Sequence, residues 1–145
     1  VNVVTKMKET NTVIGGEGNG GVIYPESHYG RDALVGVGLF LSHFVAEGKS
    51  MTALKATYPQ YFISKNKLTL SPDMDVDKIL EGLKEKYASE EITDIDGVKI
   101  DFKDGWVHLR KSNTEPIIRV YSESKDEVAA NRLAEEVIKV AKSLY

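Results

Sequence analysis

One segment joins two apolar runs through a polar turn: Trp106-Val107-His108-Leu109-Arg110-Lys111-Ser112-Asn113-Thr114-Glu115-Pro116-Ile117-Ile118-Arg119-Val120-Tyr121. Residues 106–109 and 117–121 are rich in β-branched and aromatic side chains, and the residues between them are turn formers. The segment therefore predicts two neighbouring strands with a tight polar connection at the edge of a sheet. Because Val107 and Leu109 are expected to point into the core, Arg110 should lie on the opposite face.

The polar connection has the chemistry of a phosphate-binding turn. Arg110 can give a phosphate two parallel charge-assisted hydrogen bonds, and Ser112 and Thr114 add neutral donors. Asn113 contributes a carboxamide, and a second guanidinium, Arg119, follows in the next strand. An ordinary hairpin whose Ser, Asn and Thr side chains stabilise their own backbone gives the same pattern. Turn chemistry alone leaves both interpretations open.

The flanking sequence predicts a complete sheet around this connection. Two Asp-Gly turns, Asp96-Gly97 and Asp104-Gly105, are strong hairpin signals. Apolar residues at helical spacing predict one helix over 76–87 and another that follows a capping pattern at Ser124–Glu127. From Tyr61 to the C-terminus the order is thus β-α-β-β-β-β-α. We expect an α+β domain in which one antiparallel sheet carries two helices on one face.

The first 59 residues have too little regular structure for a complete fold. A short strand is expected at Thr12–Ile14, and Asp32 is predicted to be the N-cap of a helix that ends at Gly48. Because that helix is apolar nearly all round, we expect it to be buried. His28 and Arg31 precede it in a polar connection, where either could face a site. We interpret this half as an incomplete α/β segment.

A glycine-rich loop, Gly15-Gly16-Glu17-Gly18-Asn19-Gly20-Gly21, lies in this first half. Glycine lets the backbone approach a ligand closely, which leaves Glu17 and Asn19 as the side chains able to discriminate. They could bind sugar hydroxyls or only stabilise a turn. The loop formally matches the G-x-G-x-x-G dinucleotide fingerprint, but that motif needs a helix directly after it. A β-like run that ends at Pro25 follows instead of a helix, which argues against nucleotide binding.

Composition excludes several classes of protein. The chain has 145 residues, of which 41% are hydrophobic and 28% charged, as in ordinary soluble globular proteins. Without cysteine it has no disulfides or thiolate chemistry, which fits a reducing compartment. The net charge of −3 argues against a broad surface for nucleic acid or anionic membranes. No apolar run approaches the roughly 18 residues of a membrane-spanning helix.

The two motifs together resemble the C-terminal part of the α-D-phosphohexomutases, which include phosphoglucomutase/phosphomannomutase and phosphoglucosamine mutase. The glycine-rich loop comes first, and the Arg110–Pro116 segment follows in a terminal β-α-β4-α domain. This resemblance covers essentially the whole chain. It implies that residues 1–59 are the end of the third, sugar-recognition domain of a four-domain enzyme, and that residues 60–145 are its phosphate-binding fourth domain. The start at Val1, within a helix-like pattern, leads us to expect a fragment.

The resemblance also implies roles for particular residues. Glu17, Gly18 and Asn19 match the loop that binds hexose hydroxyls. The family's clamp for the substrate phosphate that is not being transferred matches Arg110, Ser112, Asn113 and Thr114, with Arg119 in a weaker supporting role. Two positions depart from the commonest loop pattern, because Asn19 replaces a serine and Gly21 replaces a histidine. The sugar contacts, and hence the preferred hexose, are not fixed by the resemblance.

The resemblance implies a mechanism for the whole enzyme. A phosphoserine would exchange phosphoryl groups with a hexose phosphate through a bisphosphate intermediate, which makes the enzyme an intramolecular phosphotransferase of the cytoplasm. The phosphoserine loop and the Asp-Gly-Asp-x-Asp magnesium loop of the family are absent from this sequence. We therefore expect no catalytic residue and no metal ligand in this chain, inactivity of the chain alone, and Mg²⁺ and further N-terminal domains in the whole protein.

Two other classes of function are consistent with parts of the sequence. A stand-alone phospholigand-binding module would keep the Arg110–Thr114 segment but would need a self-sufficient first half. A nucleic-acid-binding domain is suggested by the β-α-β4-α order, which resembles half of a TATA-binding protein. That function requires a basic, aromatic-rich sheet face and binding that depends steeply on salt. The acidic net charge argues against it, and we expect neither a nucleic-acid nor a membrane partner.

Overall fold

The computed structural model describes residues 2–18, 20–71 and 74–144, which form two compact units divided between Pro59 and Gln60. The described residues of the first unit form three helices and two very short strands. Their bounds are α1 Asn2–Thr10, β1 Gly15–Gly16, β2 Val22–Ile23, α2 Ala33–Glu47 and α3 Met51–Lys55. β1 and β2 pair antiparallel. The sequence predicts a strand at Thr12–Ile14, but the observed strand β1 begins just after that segment, at Gly15.

The caps of helix α2 are where the sequence placed them. Asp32 is its N-cap, since Oδ1 accepts a hydrogen bond of 3.0 Å from the Val35 N–H. Gly48 ends the helix in the left-handed conformation, with φ of 61°. The expected burial of α2 is not observed. Leu34 is 84% exposed and Val45 77%, because the small β1–β2 sheet cannot cover a helix that is apolar nearly all round.

In the second unit, the residues that the structure describes form a five-stranded antiparallel sheet and two helices. Its elements are β3 Phe62–Thr69, α4 Val76–Lys86, β4 Glu91–Thr93, β5 Val98–Phe102, β6 Gly105–Lys111, β7 Ile117–Ser124 and α5 Glu127–Lys142. The strand order is β3-β7-β6-β5-β4. Strand β7 therefore lies between β3, the first strand of the unit, and β6, with which it forms a hairpin. This arrangement confirms the α+β class and the predicted β-α-β4-α order.

Alternation along the strands separates the two faces of this sheet. The inner face and the two helices form one core, whose most buried members include Ile79, Leu83, Ile100, Val107, Leu109, Ile118, Val120 and Val137. The side chains between these core positions lie on the outer face, which carries Arg110 and Arg119. Within the described part of the chain, no helix combines the length and apolar character that a membrane crossing requires.

Candidate functional site

A polar cleft of about 280 Å³ opens where β6 passes into β7. It is lined by Asp96, Arg110, Lys111, Ser112, Asn113, Thr114 and Arg119. The structure thus brings together the five residues that the sequence nominated for a phosphate, although they come from two strands and the turn between them. Three cationic side chains face one carboxylate across the cleft, so the local charge is positive in a chain whose net charge is negative.

Backbone hydrogen bonds give the β6–β7 connection its shape. The Ser112 N–H donates to the Ile117 carbonyl at 3.0 Å, and the Ile117 N–H donates to the Glu115 carbonyl at 2.8 Å. Ser112 is 8% exposed, and its Oγ accepts a long bond of 3.4 Å from the Thr114 N–H. Asn113 and Thr114 are exposed on the turn. The turn therefore presents two polar side chains outward while the serine hydroxyl stays close to the backbone.

The two arginines of the cleft are direct cross-strand partners, Arg110 on β6 and Arg119 on β7. Each has a carboxylate nearby. Arg110 Nη1 donates to Asp96 Oδ2 at 2.8 Å, whereas Arg119 Nη2 is 3.8 Å from Glu115 Oε2. Their side chains are 48% and 39% exposed, so both guanidinium groups remain accessible from solvent. An anion in the cleft would meet two guanidinium groups that are already held on one face of the sheet.

Asp96 is one of two cleft residues that sequence reasoning missed. It belongs to the Asp96-Gly97 turn between β4 and β5. His108 Nε2 donates a hydrogen bond of 2.6 Å to the Asp96 carbonyl, which holds this turn against β6. Gly97 has φ of 82°, and a Cβ there would lie 2.2 Å from the Leu109 carbonyl oxygen. The hairpin signal was visible in the sequence, but the register that brings its carboxylate to Arg110 was not. Lys111, which also lines the cleft, was missed as a donor.

The glycine-rich loop connects β1 to β2 in the first unit. The Glu17 N–H donates to the Gly21 carbonyl at 3.1 Å, and the Gly20 N–H donates to the Glu17 carbonyl at 3.0 Å. Gly20 has φ of 86°, and a Cβ at Gly18 would meet open space. Asn19, the third residue nominated for sugar binding, lies outside the described residues. These two backbone hydrogen bonds join Glu17 to Gly21 and to Gly20, and Glu17 is exposed.

A cleft of about 560 Å³ adjoins this loop within the first unit. Glu17 and Arg31 both line it, together with Tyr29, Ile23 and the first turn of α1. Arg31 therefore faces the same space as Glu17, as its place before α2 allowed. The cleft offers a carboxylate, a guanidinium and an aromatic ring, a combination suited to a polyhydroxylated ligand.

His28 braces the connection before α2. Its Nδ1 accepts from the Gly30 N–H at 2.9 Å, which leaves Nε2 to donate to Asp32 Oδ2 at 3.0 Å. The Val35 N–H and then His28 lower the pKa of the Asp32 carboxyl below its usual value. Both ring nitrogens are thus engaged within the turn. This bonding gives His28 a structural role in holding the N-cap of α2.

No group of three or more His, Cys, Asp or Glu side chains within residues 2–18, 20–71 and 74–144 is arranged to hold a metal ion. The cleft at Arg110 is lined by three cations and one carboxylate, a set that suits an anion and does not suit a divalent cation. The donor groups in this part of the chain therefore do not fit a magnesium site.

Two family models match the chain in succession. The model of phosphoglucomutase/phosphomannomutase alpha/beta/alpha domain III matches residues 1–61, and that of the phosphoglucomutase/phosphomannomutase C-terminal domain matches residues 66–140. A solved phosphoglucomutase/phosphomannomutase family protein from Burkholderia thailandensis has a TM-score of 0.69 and 27% identity over 97% of this chain, which corresponds to 31% of that chain.

Curated relatives show the same pattern. The phosphoglucosamine/phosphogalactosamine mutase of Sulfurisphaera tokodaii is 39% identical over 97% of this chain and 31% of its own length. The phosphoglucomutase/phosphomannomutase of Thermococcus kodakarensis is 39% identical over 95% of this chain and 30% of its own length. The chain thus spans about a third of the length of these relatives. On the evidence of the two successive domain models, the chain belongs to the phosphoglucomutase/phosphomannomutase family.

Proposed function

We propose that this chain is the substrate-binding C-terminal part of a phosphohexomutase, which interconverts hexose 1-phosphate and hexose 6-phosphate through a phosphoserine and a bisphosphate intermediate. The two domain models, in this order, and relatives named as mutases of glucosamine, glucose and mannose phosphates support the proposal. Phosphoglucosamine and phosphoglucose/phosphomannose mutase are the substrate classes that we favour. As the family resemblance implies, the whole enzyme would act in the cytoplasm.

The observation that carries the proposal is the cleft at Arg110. Two guanidinium groups from paired strands, a backbone turn and the polar side chains of Asn113 and Thr114 converge on a space of about 280 Å³. Arginine forks match the oxygen geometry of a phosphate, and charge-assisted bonds of this kind are stronger than neutral ones. A phosphate dianion would take over the donor that Arg110 now gives to Asp96. The ligand class is therefore a phosphate monoester.

The clamp would hold the phosphate that is not being transferred. Hexose 1-phosphate and hexose 6-phosphate bind in opposite orientations, yet each would present a similar dianion to Arg110, Ser112, Asn113, Thr114 and Arg119. Fixing that end of the sugar places the other end at the reacting group, which lowers the barrier through positioning and not through proton transfer. The described residues would therefore bind and orient the substrate without any covalent role.

The glycine-rich loop would recognise the sugar itself. In this proposal Glu17, Gly18 and Asn19 contact hexose hydroxyls, with Glu17 able to accept two hydrogen bonds from neighbouring hydroxyls. Arg31 lines the same cleft as Glu17 and adds a donor there. As the family resemblance implies, the Mg²⁺ of the proposed reaction would have its ligands, like the phosphoserine, in other domains of the longer protein.

An amide NMR titration of the 145-residue chain would test the clamp. Inorganic phosphate, glucose 1-phosphate and glucosamine 6-phosphate are added in turn to the native chain and to Arg110→Ala. Arg132→Ala is the matched control, because that side chain is 68% exposed on α5 and the substitution removes the same charge. We expect saturable shifts at residues 110–114 in the native chain and in Arg132→Ala, and none of these shifts in Arg110→Ala.

The outcome also separates the proposal from its alternative. A stand-alone phospholigand-binding module is favoured by one observation, that the second unit contains the whole cleft and its own core. Shifts at residues 110–114 without any sugar-dependent shift near Glu17 would favour this module. Sugar-dependent shifts near Glu17 would favour the mutase. Absence of saturable shifts at residues 110–114 in the native chain would overturn the phosphate clamp.

A further inference from the structure

The cationic surface does not end at the two arginines of the cleft. Lys67 on β3 is the register partner of Arg119 on β7, and Arg119 is in turn the partner of Arg110 on β6. The three side chains therefore lie abreast on the outer face of the sheet, and we call them the basic row. Directly opposite residues on neighbouring strands have Cβ atoms only about 4.5–5.5 Å apart. Lys67 thus lies immediately beside the cleft, although it is not among the residues that line it.

The members of the basic row differ in how their charge is compensated. Arg110 has Asp96, and Arg119 has Glu115, but Lys67 forms no ion pair with any described residue. Lys67 is also exposed. The next lysine on the same face of β3, Lys65, is positioned differently, because its Nζ lies 5.8 Å from the centroid of the Tyr121 ring. Of these two β3 lysines, Lys67 is the one opposite a cleft arginine.

Three like charges in one cross-strand row repel one another. Like charges directly opposite on a sheet destabilise the pairing, and here the unfavourable arrangement extends over three strands. A dianion held above the row would interact favourably with all three cations at once. The flexible four-carbon stem of lysine lets its ammonium follow an anion, which complements the fixed forks of the arginines.

We propose that Lys67 is a further phosphate-binding residue, so that the phosphate site extends from the cleft across β7 onto β3. The ligand is the same phosphate monoester dianion, and this inference rests on the proposed function of the cleft. Lys67 supplies the third positive charge of the site from a strand far from the Arg110–Pro116 segment in sequence. A motif search of that segment would not find it.

The dissociation constant for inorganic phosphate measures this contribution. Lys67→Gln in the 145-residue chain should weaken phosphate binding about twofold to fivefold, the range typical of an exposed ion pair. Lys67→Arg keeps the charge and should restore most of the affinity. Lys65→Gln, on the same strand and face, and Lys78→Gln, on α4 with an 82% exposed side chain, make the same charge change and should have smaller effects.

Each outcome of these titrations either supports or overturns the proposed role of Lys67. Equal affinities for Lys67→Gln and Lys78→Gln, or equal losses in Lys67→Gln and Lys65→Gln, would overturn the role of Lys67. If Arg110→Ala abolishes phosphate binding while Lys67→Gln leaves it intact, only this inference fails and the clamp stands. If the native chain does not bind phosphate, the clamp and the inference fail together. Because Lys67 is exposed, unfolding temperatures without phosphate should show that every variant is folded.

Discussion

Asp32 shows how a single side chain can make part of this chain sensitive to pH. Its carboxylate caps α2 through the Val35 N–H and accepts from His28, and these bonds lower its pKa from the ordinary value of 3.8. A lowered pKa in the folded state means that the stabilisation is present above the unfolded-state value and is lost as pH falls through the folded-state value. The cap is therefore complete at neutral pH and is lost in acid.

We expect the stability of the first unit to fall as pH decreases from about 5 to below the Asp32 pKa, which is lowered from its ordinary value. Asp32→Asn should flatten this part of the profile, because asparagine is a comparable N-cap that does not titrate. Thermal unfolding followed by the amide signals of α2, at several pH values, would measure the difference. Identical pH profiles for the two proteins would show that Asp32 is not the titrating group.

The face of the sheet on which a residue lies could be predicted where apolar and polar residues alternate strictly along a strand. Val107 and Leu109 are fully buried, so Arg110 had to lie on the outer face. The partner of Arg110 was not predictable, because the position of Asp96 depends on how β4, β5 and β6 are registered. The capping pattern at 124–127 was displaced by two residues. Ser124 ends β7 and donates to the Asp104 carbonyl at 2.6 Å, and Asp126 caps α5 instead.

At the level of elements, helix α5 packs on the sheet through small side chains. Ala130, Ala134 and Ala141 are buried on α5 together with Val137, and Ser122 is buried on β7. The Ser122 hydroxyl donates to the Ala130 carbonyl at 2.7 Å, which ties the helix to the strand that carries Arg119. Close approach of helix and sheet therefore depends on there being no larger side chain at these positions.

Ala134→Leu should destabilise the chain by about 1–3 kcal/mol, because added carbons in a packed interface force helix and sheet apart. Val128→Leu is the control, since this residue is on the same helix but 79% exposed. Urea denaturation measures both free energies of unfolding. A loss below about 0.5 kcal/mol for Ala134→Leu, the usual range of surface substitutions, would mean that the interface can repack around the larger side chain.

Strands and helices of the second unit were predictable because local signals agree there. Two Asp-Gly turns, a clean alternation at Val98–Phe102 and two amphipathic helices all specify the same sheet. Helix α2 was correctly placed by its caps, but its burial was not, because burial depends on neighbours and not on the composition of the helix. The proposed phosphate site shows the same difference between features set by local sequence and features set by neighbouring strands. The polar turn at residues 110–116 could be recognised from the local sequence, whereas the position of Lys67 beside Arg119 depends on how β3 pairs with β7.

For the whole molecule, the two units differ in how much core they contain. The second unit encloses a core built from both helices and all but the outermost parts of its sheet, whereas the buried apolar residues of the first unit are Met7, Ile23 and Leu54 among those described. The first unit also exposes the apolar side chains of α2. Stability should therefore reside largely in residues 60–145.

We predict that residues 60–145, produced alone, fold with a free energy of unfolding of about 5–10 kcal/mol and retain phosphate binding. Cooperative urea unfolding and the phosphate titration described above would measure both properties. The intact 145-residue chain, which exposes α2, serves as the comparison and should self-associate more readily in sedimentation experiments. An excised segment that lacks cooperative unfolding would show that its core depends on the first unit.

The strand order of the second unit has a consequence for how it folds. β5, β6 and β7 follow one another through short turns, but β3 pairs with β7 across most of the unit, from Phe62 with Ser124 to Thr69 with Ile117. Contacts so distant in sequence are costly in chain entropy, and we expect them to form after the local hairpins. During folding, the paired arginines would then be in place before Lys67 reaches them. Phosphate added during refolding should therefore favour the last step, in which β3 closes the sheet.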